Sequence, residues 1–154
     1  MTHISLTPAP TKSSHRRHTG TPNQQLEFPS STEGIHIIEK LIETICSTYK
    51  LSEDYYGNIL VAVTEAVNNA IHHGNKKNPD KKVHVGFETT PDEIFFSVRD
   101  EGTGFDYNNL PDPTDPENIE KPSGRGIFLM KHLADDVSFL DEGRCVCLSF
   151  SMLN

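Results

Sequence analysis

The sequence has no tryptophan, only three cysteines in 154 residues, and no apolar run near the ~18 residues that a membrane-spanning helix requires. It also begins without the apolar core of a secretory signal. We therefore expect a cytoplasmic protein without a membrane anchor. Cys46, Cys145 and Cys147 cannot all pair with one another, so reduced thiols are the simplest interpretation. A zinc site that uses His72 or His73 is an open alternative, which the lack of a Cys-x-x-Cys pair disfavours.

Acidic residues are absent from the first 26 positions, where Lys12, Arg16 and Arg17 give a formal charge of +3. The other 11 of the 14 basic residues accompany all 22 acidic residues, so the remainder carries −11. This balance disfavours nucleic acid as a direct partner, because phosphate binding needs clustered Lys and Arg. Residues 1–23 are rich in Thr, Ser, Pro and His and predict a disordered leader. A single domain is expected over residues 24–154.

Hydrophobic periodicity predicts the order of the secondary structure. Alternation favours strands at 25–29, 83–87, 94–98, 137–140 and 146–152, and a helical period favours helices at 35–45, 52–74 and 126–136. The expected helix ends are an N-cap at Ser30, Ser31 or Thr32, an N-cap at Ser52, and a left-handed C-cap at Gly74. Residues 105–123 contain four prolines and predict a lid-like loop. Helices grouped between strand pairs predict an α+β two-layer sandwich, with a mixed, mostly antiparallel sheet and helices on one face.

The second predicted helix carries a polar pair opposite its apolar stripe. Glu65 and Asn69 lie one turn apart and project together, away from the stripe. The stripe consists of Leu60, Val63, Val67 and Ile71. Such a pair is often only a solvated face, but an amide oxygen suits Mg²⁺ and a carboxylate suits a general base.

Two glycine-containing segments follow that helix. Asp100 ends a predicted strand, and Gly102 and Gly104 after it would let the backbone approach a flat ring while the carboxylate accepts a hydrogen bond from an exocyclic amine. The segment Gly124-Arg125-Gly126 opens a helix, whose free N–H groups suit phosphates. A tight turn and a capped helix junction are the structural alternatives. Neither a P-loop nor a dinucleotide-binding glycine motif is present.

These three segments, in this order, resemble the GHKL (Bergerat-fold) ATP-binding superfamily, and more narrowly the bacterial anti-sigma-factor serine/threonine kinases. Residues 65–74 resemble the N box, residues 98–105 the first glycine box, and residues 124–130 the second. The resemblance covers about residues 24–152. It implies a histidine-kinase-like ATPase fold with an ATP lid at about 105–123.

The resemblance also implies roles for individual residues. Glu65 would be the general base, Asn69 the Mg²⁺ ligand and Asp100 the partner of the adenine amino group. The remaining ATP-binding positions would be Gly102, Gly104, Gly124, Arg125, Gly126, Ile127 and Phe128. A serine acceptor needs a base whereas a histidine acceptor does not, so an acid at position 65 favours serine as the acceptor. One departure is Arg144, which follows Gly143 where the family often has Thr or Ser near the adenine.

The leading hypothesis is an ATP- and Mg²⁺-dependent serine kinase that phosphorylates a small anti-sigma-factor antagonist and otherwise sequesters a sigma factor. Family analogy suggests a homodimer through the first strand, where Leu26 and Phe28 lie. One alternative is a nucleotide-gated binding module without a useful transferase rate. Another is a degenerate scaffold that binds no nucleotide.

Overall fold

The structure is a computed structural model that describes residues 24–106 and 124–152. Its elements in chain order are β1 (Gln24–Pro29), α1 (Glu33–Thr48), α2 (Glu53–Asn69), β2 (Lys82–Thr89), β3 (Glu93–Arg99), α3 (Gly124–Leu133), β4 (Asp136–Leu140) and β5 (Cys145–Ser151). A π-helical turn (Ala70–Gly74) continues α2, and a 3₁₀ turn (Asp141–Gly143) precedes β5. The predicted leader and most of the predicted lid lie outside the described residues.

The five strands form one sheet in the order β1-β2-β3-β5-β4. All four neighbouring pairs are antiparallel, so the predicted mostly antiparallel sheet contains no parallel pair among the described strands. In the β2–β3 hairpin, Val85 pairs with Val98 and Phe87 with Phe96, which keeps the alternating apolar residues on one face. The α+β two-layer fold predicted from the sequence is confirmed.

The main core lies between that sheet face and the helices. It includes Ile38, Leu41, Ile42 and Ile45 of α1, Val63 and Val67 of α2, Ile127 and Met130 of α3, and Val146, Leu148 and Phe150 of β5. A second, smaller cluster on the opposite sheet face contains Phe95, Cys145 and Cys147. All three cysteines are buried free thiols, as predicted. Among the described helices, none is both long and apolar enough to cross a membrane.

The ends of the helices agree only in part with the sequence predictions. Ser52 caps α2, since its Oγ accepts the Tyr55 N–H at 3.4 Å. The predicted side-chain cap of α1 is wrong: Thr32 at the N-cap has helical dihedral angles and makes no side-chain cap bond. The Ser30 hydroxyl instead donates to the Lys81 carbonyl at 2.7 Å. This bond joins the residue after β1 to the residue before β2, so the hydroxyl is not available to cap α1.

The predicted left-handed C-cap at Gly74 is also wrong. Gly74 lies in the π-helical turn without a positive φ, and left-handed backbone follows at Lys76 and Lys77. The apolar stripe of α2 is confirmed at Val63, Val67 and Ile71, whereas Leu60 is only half-buried. Helix α3 begins two residues earlier than predicted and ends at Leu133.

Candidate active site

The polar pair of α2 faces the beginning of α3. A Cβ atom placed on Gly126 would lie 3.0 Å from Oε2 of Glu65, 3.5 Å from Nδ2 of Asn69 and 3.7 Å from Oδ1 of Asn69. Both polar side chains therefore reach the start of α3, where the sequence predicts phosphate binding. Helices α2 and α3 pack along each other, and this packing brings residues about 60 positions apart in the chain together.

Asn69 is the last α-helical residue of α2, and the π-helical turn begins at Ala70. Turns of this kind occur often at functional sites, because the extra residue changes the direction of the side chains that follow. Here the turn ends at Gly74, where a Cβ atom would overlap the carboxylate of Asp100. The glycine is thus explained by close approach to Asp100 rather than by its backbone dihedral angles.

The predicted residues of the second glycine segment differ in their surroundings. Gly126 is buried, and the side chain of Ile127 belongs to the core, so Ile127 offers a ligand only its backbone. Arg125 is exposed, and Phe128 is 65% exposed with its ring stacked on His132 at 5.8 Å. Gly124 is the first residue of α3. The helix start therefore presents backbone N–H groups beside Glu65 and Asn69.

Asp100 lies at the end of β3 and begins a loop that runs through Gly104. Its Oδ1 accepts the Gly102 N–H at 2.8 Å, and its own N–H donates to the Arg144 carbonyl at 2.9 Å. Asp100 and Asn69 line the same narrow cavity, and they are two of the three residues to which the resemblance assigns a role. Its wall is formed by Ala66, Asn69, Ala70, Val98, Asp100, Phe105, Met130, Phe139, Gly143, Arg144 and Val146.

Burial raises the pKa of Asp100 above that of an ordinary aspartate. The hydrogen bond from Gly102 and the positive charges of Arg144, Arg99 and Lys81 oppose this rise in pKa. A carboxylate that is partly withdrawn from water beside apolar side chains is a strong acceptor for a ligand N–H. This environment fits recognition of an exocyclic amine.

Asn75, which the sequence predicts only as part of a polar turn, supports the loop that begins at Asp100. Its side chain is buried, with 1% exposure for the residue, and makes three hydrogen bonds. Nδ2 donates to Ser30 Oγ at 2.7 Å and to the Lys82 carbonyl at 3.0 Å, while Oδ1 accepts the Glu101 N–H at 2.7 Å. Asn75 thereby connects β1, β2 and the Asp100 loop. Its position directly after the predicted helix end was the only local signal.

The site also fits a magnesium ion that is bound together with phosphates. In the described ranges 24–106 and 124–152, no cluster of three or more His, Cys, Asp or Glu residues could hold a metal. A metal here would take few protein ligands and complete its shell with phosphates and water, as Mg²⁺ does. The Asn69 amide beside the glycine-lined helix start is suited to that arrangement.

A larger cavity of about 430 Å³ lies on the opposite face of the sheet. It is lined by Gln25, Leu26, Glu27, His84, Val85, Gly86, Ser97, Arg99 and Cys145. None of the predicted site residues contributes to it. The predicted residues Asn69 and Asp100 line the narrower cavity instead.

Known proteins of similar sequence identify the family of this chain. The model of the histidine kinase-like ATPase domain family matches residues 28–150. Serine-protein kinase RsbW of Staphylococcus epidermidis is 32% identical over 125 residues, which cover 77% of this chain and 79% of the relative. The protein of the same name from Oceanobacillus iheyensis is 27% identical, with 77% and 78% covered. The Bacillus cereus Q1 protein of that name is 26% identical over 132 residues.

The solved structures add support for the fold. The crystal structure of the RsbU and RsbW domains of Rv1364c from Mycobacterium tuberculosis matches 85% of this chain with a TM-score of 0.58 and 13% identity. This chain spans 31% of the length of that one. At such low identity, the match concerns the fold alone. By the family model and the similarity to RsbW together, the chain belongs to the histidine kinase-like ATPases and, within them, to the RsbW family of serine-protein kinases.

Proposed function

We propose that this protein transfers the γ-phosphoryl group of ATP to a serine of a small anti-sigma-factor antagonist, and that it otherwise sequesters a sigma factor in the cytoplasm. The observation that carries the proposal is the convergence of Glu65 and Asn69 on Gly126 at the start of α3. A carboxylate, an amide oxygen and free helix N–H groups then surround one point, as transfer of a phosphoryl group requires.

In this proposal Glu65 is the general base. The serine oxygen forms a bond to the γ-phosphorus, and the bond from that phosphorus to the bridging oxygen of ADP breaks. The serine proton passes to the Glu65 carboxylate, and ADP leaves with its phosphates beside the backbone of Gly124 to Gly126. Glu65 is half-buried, so a partner serine can approach it from the solvent side.

Asn69 and Asp100 orient the nucleotide. The amide oxygen of Asn69 would bind Mg²⁺, which when bound neutralises charge on the phosphates. The carboxylate of Asp100, which lines the same narrow cavity as Asn69, would accept a hydrogen bond from the adenine amino group. In this arrangement Asp100 would hold the adenine and Asn69 would hold the phosphates through Mg²⁺, with the γ-phosphoryl group next to Glu65.

We also propose that two copies of the chain pair through β1. Strand β1 lies at one edge of the sheet and pairs with β2 along one side. Its other side can therefore pair with a second copy of the chain. Phe28 cannot supply the contact, because it is 2% exposed and belongs to the core. Light scattering of the purified protein tests this pairing, and a monomer mass of 17.2 kDa at micromolar concentration would contradict it.

Capture from a lysate of the source cells tests the kinase proposal. Wild-type protein and the Glu65→Gln variant are immobilised with Mg²⁺ and ATP, and captured proteins are examined for phosphoserine by mass spectrometry. We expect a sigma factor with both proteins, and a small antagonist phosphorylated on serine only with the wild type. Equal capture without phosphoserine would instead indicate a nucleotide-gated binding module.

A further inference from the structure

The turn before β5 makes hydrogen bonds to both ends of the loop that begins at Asp100. The Phe105 N–H donates to the Glu142 carbonyl at 3.0 Å, and the Asp100 N–H donates to the Arg144 carbonyl at 2.9 Å. These two backbone bonds fix both ends of the loop but leave its centre to be held by side chains. Asn75 and Asp100 accept the N–H groups of Glu101 and Gly102 there, and Arg144 binds the carbonyl groups.

The guanidinium of Arg144 binds two loop carbonyls and the acidic turn at the same time. Nε donates to the Gly102 carbonyl at 3.0 Å, and Nη2 donates to the Thr103 carbonyl at 3.4 Å. Nη1 donates to Oδ1 of Asp141 at 3.2 Å, which orients the group from its other side. A planar group with five donors suits this arrangement, whereas a threonine offers one donor and no charge.

We propose that Arg144 is the positioning residue of the adenine pocket, which holds the loop of residues 100–104 so that the Asp100 carboxylate meets the amino group of adenine. This inference rests on the proposed ATP site. It gives a role to the position at which the sequence departs from the family pattern. Arg144 lines the same cavity as Asp100 and Asn69, although its own side chain is 30% exposed.

Electrostatics supports the same role. The positive charge of Arg144 opposes the effect of burial on the pKa of Asp100 and so favours the ionised carboxylate. An ionised carboxylate accepts a hydrogen bond from adenine but repels the carbonyl oxygen that guanine carries in the equivalent place. Removal of Arg144 should therefore weaken both affinity for ATP and discrimination against GTP.

Arg99 provides a matched control. It is the residue before Asp100, and its Nη1 donates to Oδ2 of the same Asp141 at 2.6 Å. It lines the cavity on the other sheet face and binds neither loop carbonyl. Arg99→Met and Arg144→Met each remove one cation and one bond to Asp141 while they keep an unbranched side chain. Only the second removes the contacts to Gly102 and Thr103.

The experiment measures Kd for ATP and GTP, kcat at saturating ATP, and amide hydrogen exchange of the nucleotide-free protein for these variants and Arg144→Lys. For Arg144→Met we expect roughly five- to tenfold weaker ATP binding, a lower ATP-to-GTP preference, and kcat within about twofold of wild type. Exchange at Glu101 and Gly102 should also be faster. Arg99→Met removes a cation that also lowers the pKa of Asp100 but no contact to the loop, so its exchange should match wild type and its ATP affinity should fall by less than that of Arg144→Met. Arg144→Lys keeps the positive charge near Asp100 but should recover only part of the affinity, because an ammonium group does not bind two carbonyls as a fork does.

Equal ATP affinity and equal exchange in the Arg144→Met and Arg99→Met variants would overturn the inference. A loss of kcat without a change in Kd would also overturn it, since the role would then lie in the chemical step. If the wild-type protein binds no ATP while amide exchange still responds to Arg144→Met, the proposed function fails. Arg144 would then only hold the loop in place.

Discussion

Glu65 and Gly126 meet across the contact between α2 and α3: a Cβ atom on Gly126 would lie 3.0 Å from Oε2 of Glu65. The atom nearest to that position is the end of a flexible side chain rather than backbone. A small side chain at position 126 would therefore displace the carboxylate before it disturbed the fold. A substitution at position 126 can therefore separate a catalytic effect from a structural one.

Gly126→Ala should retain the fold and lose activity. We expect the rate of phosphoryl transfer to fall about 100-fold, because the displaced carboxylate no longer has the geometry for proton transfer. The measurement is kcat with the antagonist as substrate, together with a thermal melt. Gly57→Ala is the matched control, since a Cβ atom there would have nothing within 4 Å. That variant should keep full activity and gain about 0.5–1 kcal/mol of stability from helix propensity.

Asn69→Ala should remove the effect of Mg²⁺ on nucleotide binding. In the wild type we expect tighter ATP binding with Mg²⁺ than with EDTA, whereas in the variant the two values should be nearly equal. Isothermal titration under both conditions measures the difference. Asn68→Ala is the control, because Asn68 is the neighbouring amide, about 100° around the helix. A full Mg²⁺ effect in Asn69→Ala would exclude Asn69 as the ligand.

As the pH falls, ATP binding should begin to weaken at a higher pH than it would if Asp100 had the pKa of an ordinary aspartate. Burial raises the pKa of Asp100, so its carboxylate takes up a proton earlier as the pH falls. The protonated group presents fewer acceptor sites to the adenine amino group. Kd measured between pH 4 and pH 8 should rise on the acidic side in the wild type, and Asp100→Asn should be weaker throughout but flat in this range. The same acidic rise in Asp100→Asn would assign the titration to another group.

Asn75→Ala should destabilise the fold. It leaves the Ser30 hydroxyl, the Lys82 carbonyl and the Glu101 N–H without the contacts that Asn75 makes. We expect a loss of about 3 kcal/mol in the free energy of unfolding, because buried polar groups that lose their partners remain desolvated. Urea denaturation measures this loss. The exposed Asn78→Ala variant serves as the control, and equal stability of the two would contradict the role of Asn75.

Local patterns predicted which polar residues and glycines lie close together better than they predicted the contacts that support them. Glu65 and Asn69 are one helical turn apart, so the helical period alone placed them on one face. The spacing of glycines around Asp100 and Gly126 was likewise visible in short segments. These features depend on residues close together in the chain, and the structure brings them together at the contact of α2 with α3.

The contacts that the sequence did not predict join distant residues. Asn75 binds Ser30, 45 positions away, and Arg144 binds Gly102, 42 positions away. The predicted caps at Thr32 and Gly74 were wrong for the same reason, because the packing of β1 and of Asp100 decides the conformation there. Hydrogen bonds of this kind depend on tertiary packing, for which neither periodicity nor spacing carries a signal.

The most direct test of the proposed general base compares wild type, Glu65→Gln and the control Glu43→Gln, whose exposed side chain lies on α1. Transfer of phosphate from γ-labelled ATP to the purified antagonist is measured in a single turnover, with ATP affinity determined in parallel. We expect Glu65→Gln to bind ATP within about twofold of wild type and to transfer phosphate at least about 100-fold more slowly, while Glu43→Gln is unchanged. Transfer at the wild-type rate by Glu65→Gln would contradict the assignment of Glu65 as the general base.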